Sequence, residues 1–295
     1  HLYLFTVSWP AHKSNRSLTM EFFSSNLNIP FMQIRRNTFF VSIAMTLLSF
    51  FALVHYGLTF SLDFTGGTQA ELRFNQSTST DTLRAAIKTH YPNSNLQAMG
   101  NDKTFLLRLA AQDTSSTQTI SDSIQKHLPG VTLQHIVSVG PQIGKGLLYS
   151  GINAMLFALL ATLLYITMRF EARFAVAALI ALMHDPIITL GIFSWAGIEF
   201  DVVSLAGVLT VLGYSLNDTV VVYDRIRETY EKHPLLDPEC LINKAINETL
   251  SRTIITSFLT LLSVLALCFF GGETLRGFSL TLIIGITVVL TRVST

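Results

Sequence analysis

The feature that most constrains this chain is a series of about six apolar runs, each near the roughly 20 residues that span a bilayer. The runs lie near 38–58, 149–168, 174–195, 202–222, 253–271 and 276–292. Only 13% of the 295 residues are charged, and the mean hydropathy is +0.46. Soluble proteins carry about 25% charged residues. The sequence therefore predicts a membrane all-α bundle of about six transmembrane helices.

Basic residues in the short connections predict the orientation of these helices. Arg35 and Arg36 precede the first run, and five more basic residues lie within 223–252. Because such loops stay in the cytoplasm, we expect a cytoplasmic N-terminal segment over 1–37, without structure over 1–19. The first transmembrane helix is predicted over 38–60, too long for the core of a cleaved signal peptide. A five-helix transmembrane region is predicted over 149–295, with 223–252 as its cytoplasmic loop.

The long polar segment at 61–148 predicts one α+β domain on the opposite side of the membrane. Alternating apolar residues indicate strands at 69–74, 104–109 and 131–139, with a weaker strand near 95–100. Helical spacing indicates two helices, the first capped by Asp81 and the second carrying Ile120 and Ile124 on one face. The resulting order, β-α-β-β-α-β, predicts a ferredoxin-like fold.

An acidic residue, Asp218, lies at the inner end of the fourth apolar run, beside Asn217. Placing an aspartate in the bilayer centre costs about 2.5 to 3.5 kcal/mol on insertion scales, so such residues face partners, cavities or ion paths. One alternative is that Asp218 reaches water near the helix end. However, it lies about 9 Å deeper than Asp224, which is too far for an aspartate side chain. Asp218 is therefore the first candidate for a proton-pathway residue.

A polar stripe in the fifth run supplies a candidate partner. Arg252, Thr256, Thr260 and Ser263 recur at helical spacing, which is unfavourable against lipid but reasonable along a hydrated path. The alternative for Arg252 is a cytoplasmic anchor. Burial favours a neutral acid and a nearby cation favours its anion, so movement of Arg252 could change the protonation of Asp218. Arg252 and Thr256 are therefore further proton-pathway candidates.

Two other motifs carry polar groups or unusual backbone. Asp185, after His184 in the third run, is a candidate relay or ion-pair residue, although a polar kink at Pro186 explains it equally well. Asp63, Gly66 and Gly67 follow the first run directly. The two glycines allow backbone angles closed to other residues, so this motif is predicted to join membrane and outer domain.

The sequence gives no indication of an enzyme. It contains no phosphate-binding P-loop, no nucleophile elbow and no zinc-protease motif, so we expect no catalysis, cofactor or metal. A net charge of +1 argues against nucleic-acid binding. Cys240 and Cys268 are expected to remain unpaired, since one falls in a loop and the other in a span.

Four blocks together resemble the SecF branch of the SecD/SecF family, related to the resistance-nodulation-division superfamily. They are Asp63 to Gly67, His184-Asp185, Gly213 to Glu228, and Asn247 to Thr253. The resemblance implies a bacterial inner-membrane protein with a periplasmic ferredoxin-like domain. It also implies pairing with SecD, and proton-driven assistance to unfolded polypeptides that SecA pushes through the SecYEG translocon. Asp218 and Arg252 match the proposed proton-path residues of the family.

The C-terminal segment, Gly285 to Thr295, departs from the family pattern for the last span. Two other functions stay open on the sequence alone. One is a proton-coupled exporter half for lipids or small molecules, and the other is a passive membrane scaffold. Membrane lipid is an expected partner under each of them.

Overall fold

The computed structural model describes residues 29–74, 79–91, 94–98, 103–109, 117–128, 130–170 and 172–292, so the expectation for 1–19 lies outside the described residues. In chain order the elements are α1 (Phe31–His55), α2 (Leu62–Thr65), β1 (Gly67–Phe74), α3 (Thr80–His90), β2 (Asn95–Ala98), β3 (Thr104–Leu109), α4 (Thr117–His127), β4 (Val131–Val139), α5 (Pro141–Arg169), α6 (Ala172–Ala196), α7 (Val202–Lys232), α8 (Pro238–Phe270) and α9 (Gly272–Arg292).

Six of the described helices are long and apolar enough to cross a membrane, namely α1 and α5 to α9. The apolar runs predicted six such helices, and the predicted membrane helix fold is confirmed. The helices extend past the predicted spans, because α1 begins seven residues before position 38 and α5 eight residues before position 149. Helical hydrogen bonding continues into polar residues, whereas hydropathy detects only the apolar part of each helix.

The segment between α1 and α5 folds as an antiparallel sheet with the strand order β2-β3-β1-β4. Together with α3 and α4, this order gives the predicted β-α-β-β-α-β arrangement. Leu72, Phe105, Leu107 and Ile124 are fully buried in its core. The alternation of apolar residues in β1 and β3 therefore reflects one face packed on a core.

Two details of this domain differ from the sequence prediction. The residue before α3 is Ser79 in an extended conformation, so Asp81 lies inside the helix instead of capping it. In β4 the register shifts opposite Glu71 and Leu72, where a bulge inserts an extra residue. Beyond the bulge Ile136 packs against the core, whereas Val137 is 50% exposed. Strict alternation along β4 could not anticipate that change of face.

Small residues bring the membrane helices together closely. A Cβ atom on Gly191 of α6 would lie 2.3 Å from the Ser49 Cβ atom of α1. On α9, a Cβ atom on Gly285 would lie 2.3 Å from a methyl carbon of Val211 in α7. Such close approach is common between membrane helices, where packing and hydrogen bonds hold the helices together. These contacts pack α6 on α1 and α9 on α7, and α6, α7 and α9 carry the candidate site.

Candidate functional site: acidic residues within the helix bundle

Asp218 lies on the buried face of α7, 6% exposed, with Gly207, Val211 and Ser215 at helical spacing on the same face. Its Oδ2 atom is buried and has no hydrogen-bond partner among the described residues. The neighbouring Asn217 is exposed. The structure thus places Asp218 inside the bundle, as the sequence predicts, and places Asn217 outside it.

Arg252 lies on α8 and is exposed in this chain. No ion pair or hydrogen bond joins it to Asp218 within the described part of the chain. The direct pairing of Asp218 with Arg252 is therefore not formed in this structure, and the role of Arg252 stays a prediction.

The hydroxyl groups expected to line a path with Arg252 bond to their own helix. Thr256 Oγ1 donates to the Arg252 carbonyl at 2.9 Å, and Thr260 Oγ1 donates to the Thr256 carbonyl at 2.8 Å. The buried polar face of α8 is the adjacent one, with Thr249, Thr253 and Ser257. Ser257 Oγ lies 2.7 Å from the Tyr214 hydroxyl of α7. This second stripe has the same four-residue spacing in the sequence, so periodicity alone did not distinguish it from the predicted one.

Asp185 on α6 is fully buried and well bonded. Its Oδ2 atom accepts from Ser215 Oγ of α7 at 2.6 Å and from Arg292 Nη1 of α9 at 2.8 Å. Its Oδ1 atom lies 3.0 Å from His184 Nδ1. Arg292 also donates to Thr219 Oγ1 at 2.9 Å. Asp185 therefore connects α6, α7 and α9 by hydrogen bonds, and Arg292 is a partner that sequence reasoning missed.

His184 contacts Asp185 through Nδ1 and α1 through Nε2. Its Nε2 atom lies 2.6 Å from Ser42 Oγ, and its side chain is 15% exposed. Further along the same face of α6, Ser194 Oγ donates to the Ala52 carbonyl of α1 at 2.9 Å. The two adjacent residues His184 and Asp185 therefore connect α1 on one side with α7 and α9 on the other.

The Asp63 motif forms the junction between the α+β domain and the bundle. Asp63 Oδ2 accepts from the backbone N–H of Val202, the first residue of α7, at 3.3 Å. Gly66 and Gly67 have φ angles of 67° and 125°, in the region that favours glycine. A Cβ atom on Gly144 of α5 would lie 2.7 Å from the Phe64 carbonyl oxygen, so α5 packs directly on this turn.

A short backbone bridge and an ion pair reinforce the same junction. The Ser61 N–H donates to the Phe200 carbonyl at 2.9 Å, and the Phe200 N–H donates to the Thr59 carbonyl at 2.8 Å. Arg108 of β3 forms an ion pair with Glu199, in the connection between α6 and α7. The α+β domain is thus tied directly to the chain segment that begins α7.

Comparisons with known proteins identify relatives over most of the chain. Residues 119–292 match the family described as protein export membrane protein SecD/SecF, C-terminal, and residues 51–78 match the SecD/SecF GG motif. Protein translocase subunit SecF of Desulfurispirillum indicum is 41% identical over 274 residues, covering 88% of this chain and 86% of that protein. The subunit of Vibrio alginolyticus is 41% identical over 266 residues, covering 88% and 84%.

The fold is also similar to a solved structure. SecDF from Thermus thermophilus, a translocon-associated membrane protein, matches 92% of this chain with a TM-score of 0.82 and 34% sequence identity. The present chain spans only 38% of that longer chain. The likeness therefore covers both the bundle and the α+β domain of the chain described above.

Proposed function

The chain belongs to the SecD/SecF family of protein export membrane proteins, and we propose that it uses the proton-motive force to assist polypeptide export through the SecYEG channel. In this proposal it is the SecF subunit of an assembly with SecD. It acts without enzymatic chemistry, after the ATPase SecA has pushed an unfolded polypeptide into the channel. Its substrate is the exported chain, and its energy source is proton flow through the bundle.

The observation that carries the proposal is the buried carboxylate of Asp218 without a hydrogen-bond partner on Oδ2 in the described residues. A buried charge without close partners is unfavourable, and the group can become neutral by taking a proton. A guanidinium group that approaches favours the charged form. In this proposal, displacement of the helices that carry Arg252 and Arg292 changes the protonation of Asp218.

The structure also supports a mechanical connection between this carboxylate and the α+β domain. Asp218 lies 16 residues after Val202 on one continuous helix, about 24 Å along its axis. The Val202 N–H donates a hydrogen bond to Asp63, where the α+β domain meets the bundle. A tilt or shift of α7 that follows a change of charge at Asp218 would therefore displace Asp63 and the adjoining part of the α+β domain. The membrane potential supplies about 2.3 kcal/mol per charge per 100 mV to drive such a change.

A SecD partner is supported by surfaces left open on this chain. Arg252 is exposed on α8, and the apolar residues Phe258 and Leu259, about two turns further along the helix, are exposed as well. An arginine inside a membrane pairs with another polar group or faces water, so a neighbouring subunit along this face would complete its environment. The exposed apolar residues of α1 and α5 are suited to contact lipid. SecDF of Thermus thermophilus, of which this chain spans 38%, contains further chain that could supply such a partner.

The ion pairs at one end of the bundle support the proposed orientation in the bacterial inner membrane. Arg169 pairs with Asp224, and Arg35 pairs with Glu239, at the end away from the α+β domain. Basic residues concentrate on the cytoplasmic side of membrane proteins. We therefore place the N-terminus in the cytoplasm and the α+β domain in the periplasm.

An export assay in membrane vesicles tests the proposal. Vesicles carrying SecYEG, SecD and the full chain are loaded with a polypeptide by SecA and ATP, the ATP is removed, and completion of export is followed with and without a proton-motive force. We expect Asp218→Asn to assemble with SecD and to remove the stimulation by the proton-motive force. Asp224→Asn, the same change in an exposed residue of the same helix, should keep it. Full stimulation in Asp218→Asn would contradict the proposal.

A further inference from the structure

A series of hydrogen-bonded side chains runs from α1 to the buried acidic residues, and it has no role in the function proposed above. Ser42 Oγ lies 2.6 Å from His184 Nε2, and His184 Nδ1 lies 3.0 Å from Asp185 Oδ1. Asp185 Oδ2 in turn accepts from Ser215 Oγ at 2.6 Å. Every link is within hydrogen-bond distance, so four side chains on three helices form one continuous path.

The two ends of this path differ in exposure. Ser42 is half-buried and lies where α1 packs on α6, whereas Asp185 and Ser215 are fully buried. Ser215 lies one helical turn before Asp218 on the same face of α7. The path therefore leads from the seam between α1 and α6 to the immediate neighbourhood of the candidate proton-pathway carboxylate.

An imidazole can pass a proton between its two nitrogens, since it titrates near neutral pH and bonds at both. At the start, Nδ1–H donates to the Asp185 carboxylate and Nε2 accepts from the Ser42 hydroxyl. A hydronium ion at the seam gives a proton to Ser42 and becomes water, Ser42 gives its own hydroxyl proton to Nε2, and the Nδ1 proton moves to Asp185 Oδ1. Asp185 is then neutral, and the neutral imidazole carries its proton on Nε2, which donates to Ser42.

We propose that His184 and Ser42 are proton-relay residues that load and unload Asp185 from the α1 side of the bundle. This inference rests on the proposed proton-driven function and deepens it, because it names the groups through which protons reach the neighbourhood of Asp218. Protonation of Asp185 removes its negative charge and weakens its acceptance of the Ser215 hydroxyl. The relay thereby changes the contact between α6 and α7 next to Asp218.

Among the described residues, the other charged groups near His184 and Asp185 lie on α7 and α9. Arg292 of α9 donates to Asp185 Oδ2, and Asp218 of α7 lies one turn from Ser215. From α1, the group in contact is the uncharged Ser42. The pH dependence of the relay thus reflects His184 together with Asp185, Asp218 and Arg292.

Proton flux measured against pH tests the relay. The complex of this chain with SecD is placed in liposomes containing a pH-sensitive dye, and proton entry under an imposed potential is measured between about pH 5 and 8, where histidine changes charge. His184→Gln keeps groups that donate and accept hydrogen bonds but cannot carry a proton. Since positioned acid–base groups contribute at least about a hundredfold in rate, we expect its flux to fall by about tenfold or more and to lose its dependence on pH.

Two more variants complete the experiment. Ser42→Ala, a change of one oxygen atom, removes the outer end of the relay and should also lower the flux several-fold. This variant tests the relay if His184→Gln fails to assemble with SecD. His55→Gln, at the exposed end of α1, is the matched control and should behave as the wild type. A normal flux and a normal pH profile in both relay variants would contradict the relay and leave the proposed function unaffected. Absence of flux in the wild-type complex overturns the proposed function and the relay with it.

Discussion

At the scale of single residues, the two buried acids of the bundle have opposite surroundings. Asp185 accepts hydrogen bonds from Ser215 and Arg292, and lies against His184. Asp218 is almost equally buried, yet its Oδ2 atom lacks a partner in the described residues. Because the partners of Asp185 join α6, α7 and α9, that residue contributes to stability as well as to the proposed relay. Asp218 has fewer hydrogen bonds to lose when its charge changes.

This contrast predicts different effects of the same substitution on stability. Asp185→Asn breaks a buried, hydrogen-bonded ion pair and should lower the free energy of unfolding by about 3–5 kcal/mol. Asp218→Asn loses no hydrogen bond to Oδ2 and should change it by about 1 kcal/mol or less. Denaturant unfolding of both purified variants in detergent checks the order. Equal destabilisation by the two variants would contradict the described difference in their surroundings.

Arg252 allows a second test at this scale. If its guanidinium approaches Asp218 during the working cycle, Arg252→Met should leave assembly intact and reduce proton-driven export to the level measured without a proton-motive force. Arg227→Met, in an exposed pair with Glu231, is the matched control and should have little effect, since such pairs contribute about 0–1 kcal/mol. Normal proton-driven export in Arg252→Met would leave the residue as a cytoplasmic anchor.

The site residues show what a sequence can and cannot give at this scale. The position of Asp218 on an inward face followed from its depth in an apolar run and the small residues at helical spacing. The partner of Asp185 did not follow, because Arg292 stands in a C-terminal segment that departs from the family pattern. Pairing between residues more than 100 positions apart depends on helix packing, which periodicity along one helix does not report.

At the scale of the elements, the turn at Asp63 to Gly67 depends on one glycine in α5. A Cβ atom on Gly144 would meet the backbone of Phe64 and Gly66 at 2.7 and 3.0 Å, whereas one on Gly146 would meet nothing within 4 Å. Gly144→Ala should therefore destabilise the junction by about 1–3 kcal/mol through overpacking.

Gly146→Ala is the control for this prediction, two residues along the same helix. It should be neutral or stabilising, since alanine favours helices over glycine by about 1 kcal/mol. Protease sensitivity of the purified variants near 61–67, together with their thermal unfolding, measures the difference. Equal behaviour of the two alanine variants would contradict the close packing of α5 on this turn.

Elements were predicted from the sequence with uneven success, and α8 shows why. Its length and apolar character fixed it as a membrane helix. Its buried face was predicted one position away, at Arg252 and Thr256 instead of Thr253 and Ser257. Both pairs have the same four-residue spacing, so periodicity alone cannot choose between them. The choice is made by the hydrogen bond between Ser257 and Tyr214 and by the packing of α8 against α7.

At the scale of the whole molecule, side-chain contacts add to the backbone bridge that joins the α+β domain to the bundle at the start of α7. Asp63 bonds to the first backbone N–H of α7, and Arg108 pairs with Glu199 just before it. A carboxylate at a helix N-terminus is stabilising by about 0.3–1 kcal/mol. The domain is therefore attached at the outer end of the helix that carries Asp218, an arrangement that no single motif in the sequence reveals.

Charge exchange tests this attachment. Arg108→Glu should increase hydrogen exchange at 197–201 and loosen the domain by about 1 kcal/mol, as expected for a partly exposed pair. The double variant Arg108→Glu with Glu199→Arg should restore protection, because the pair is re-formed with its charges reversed. Wild-type exchange in the single variant would show that the ion pair does not hold the domain.

The measurement that tests the central claim most directly follows the Asp218 carboxyl group itself. Infrared difference spectra of the complex with SecD, with aspartate labelled by carbon-13, are recorded in liposomes before and after a proton gradient is imposed. A component of the protonated carboxyl band should change in the wild type and in Asp224→Asn and be missing in Asp218→Asn, where only the contribution of Asp185 remains. An Asp218 carboxyl band that is unchanged by the gradient, while proton-driven export continues, would contradict the account.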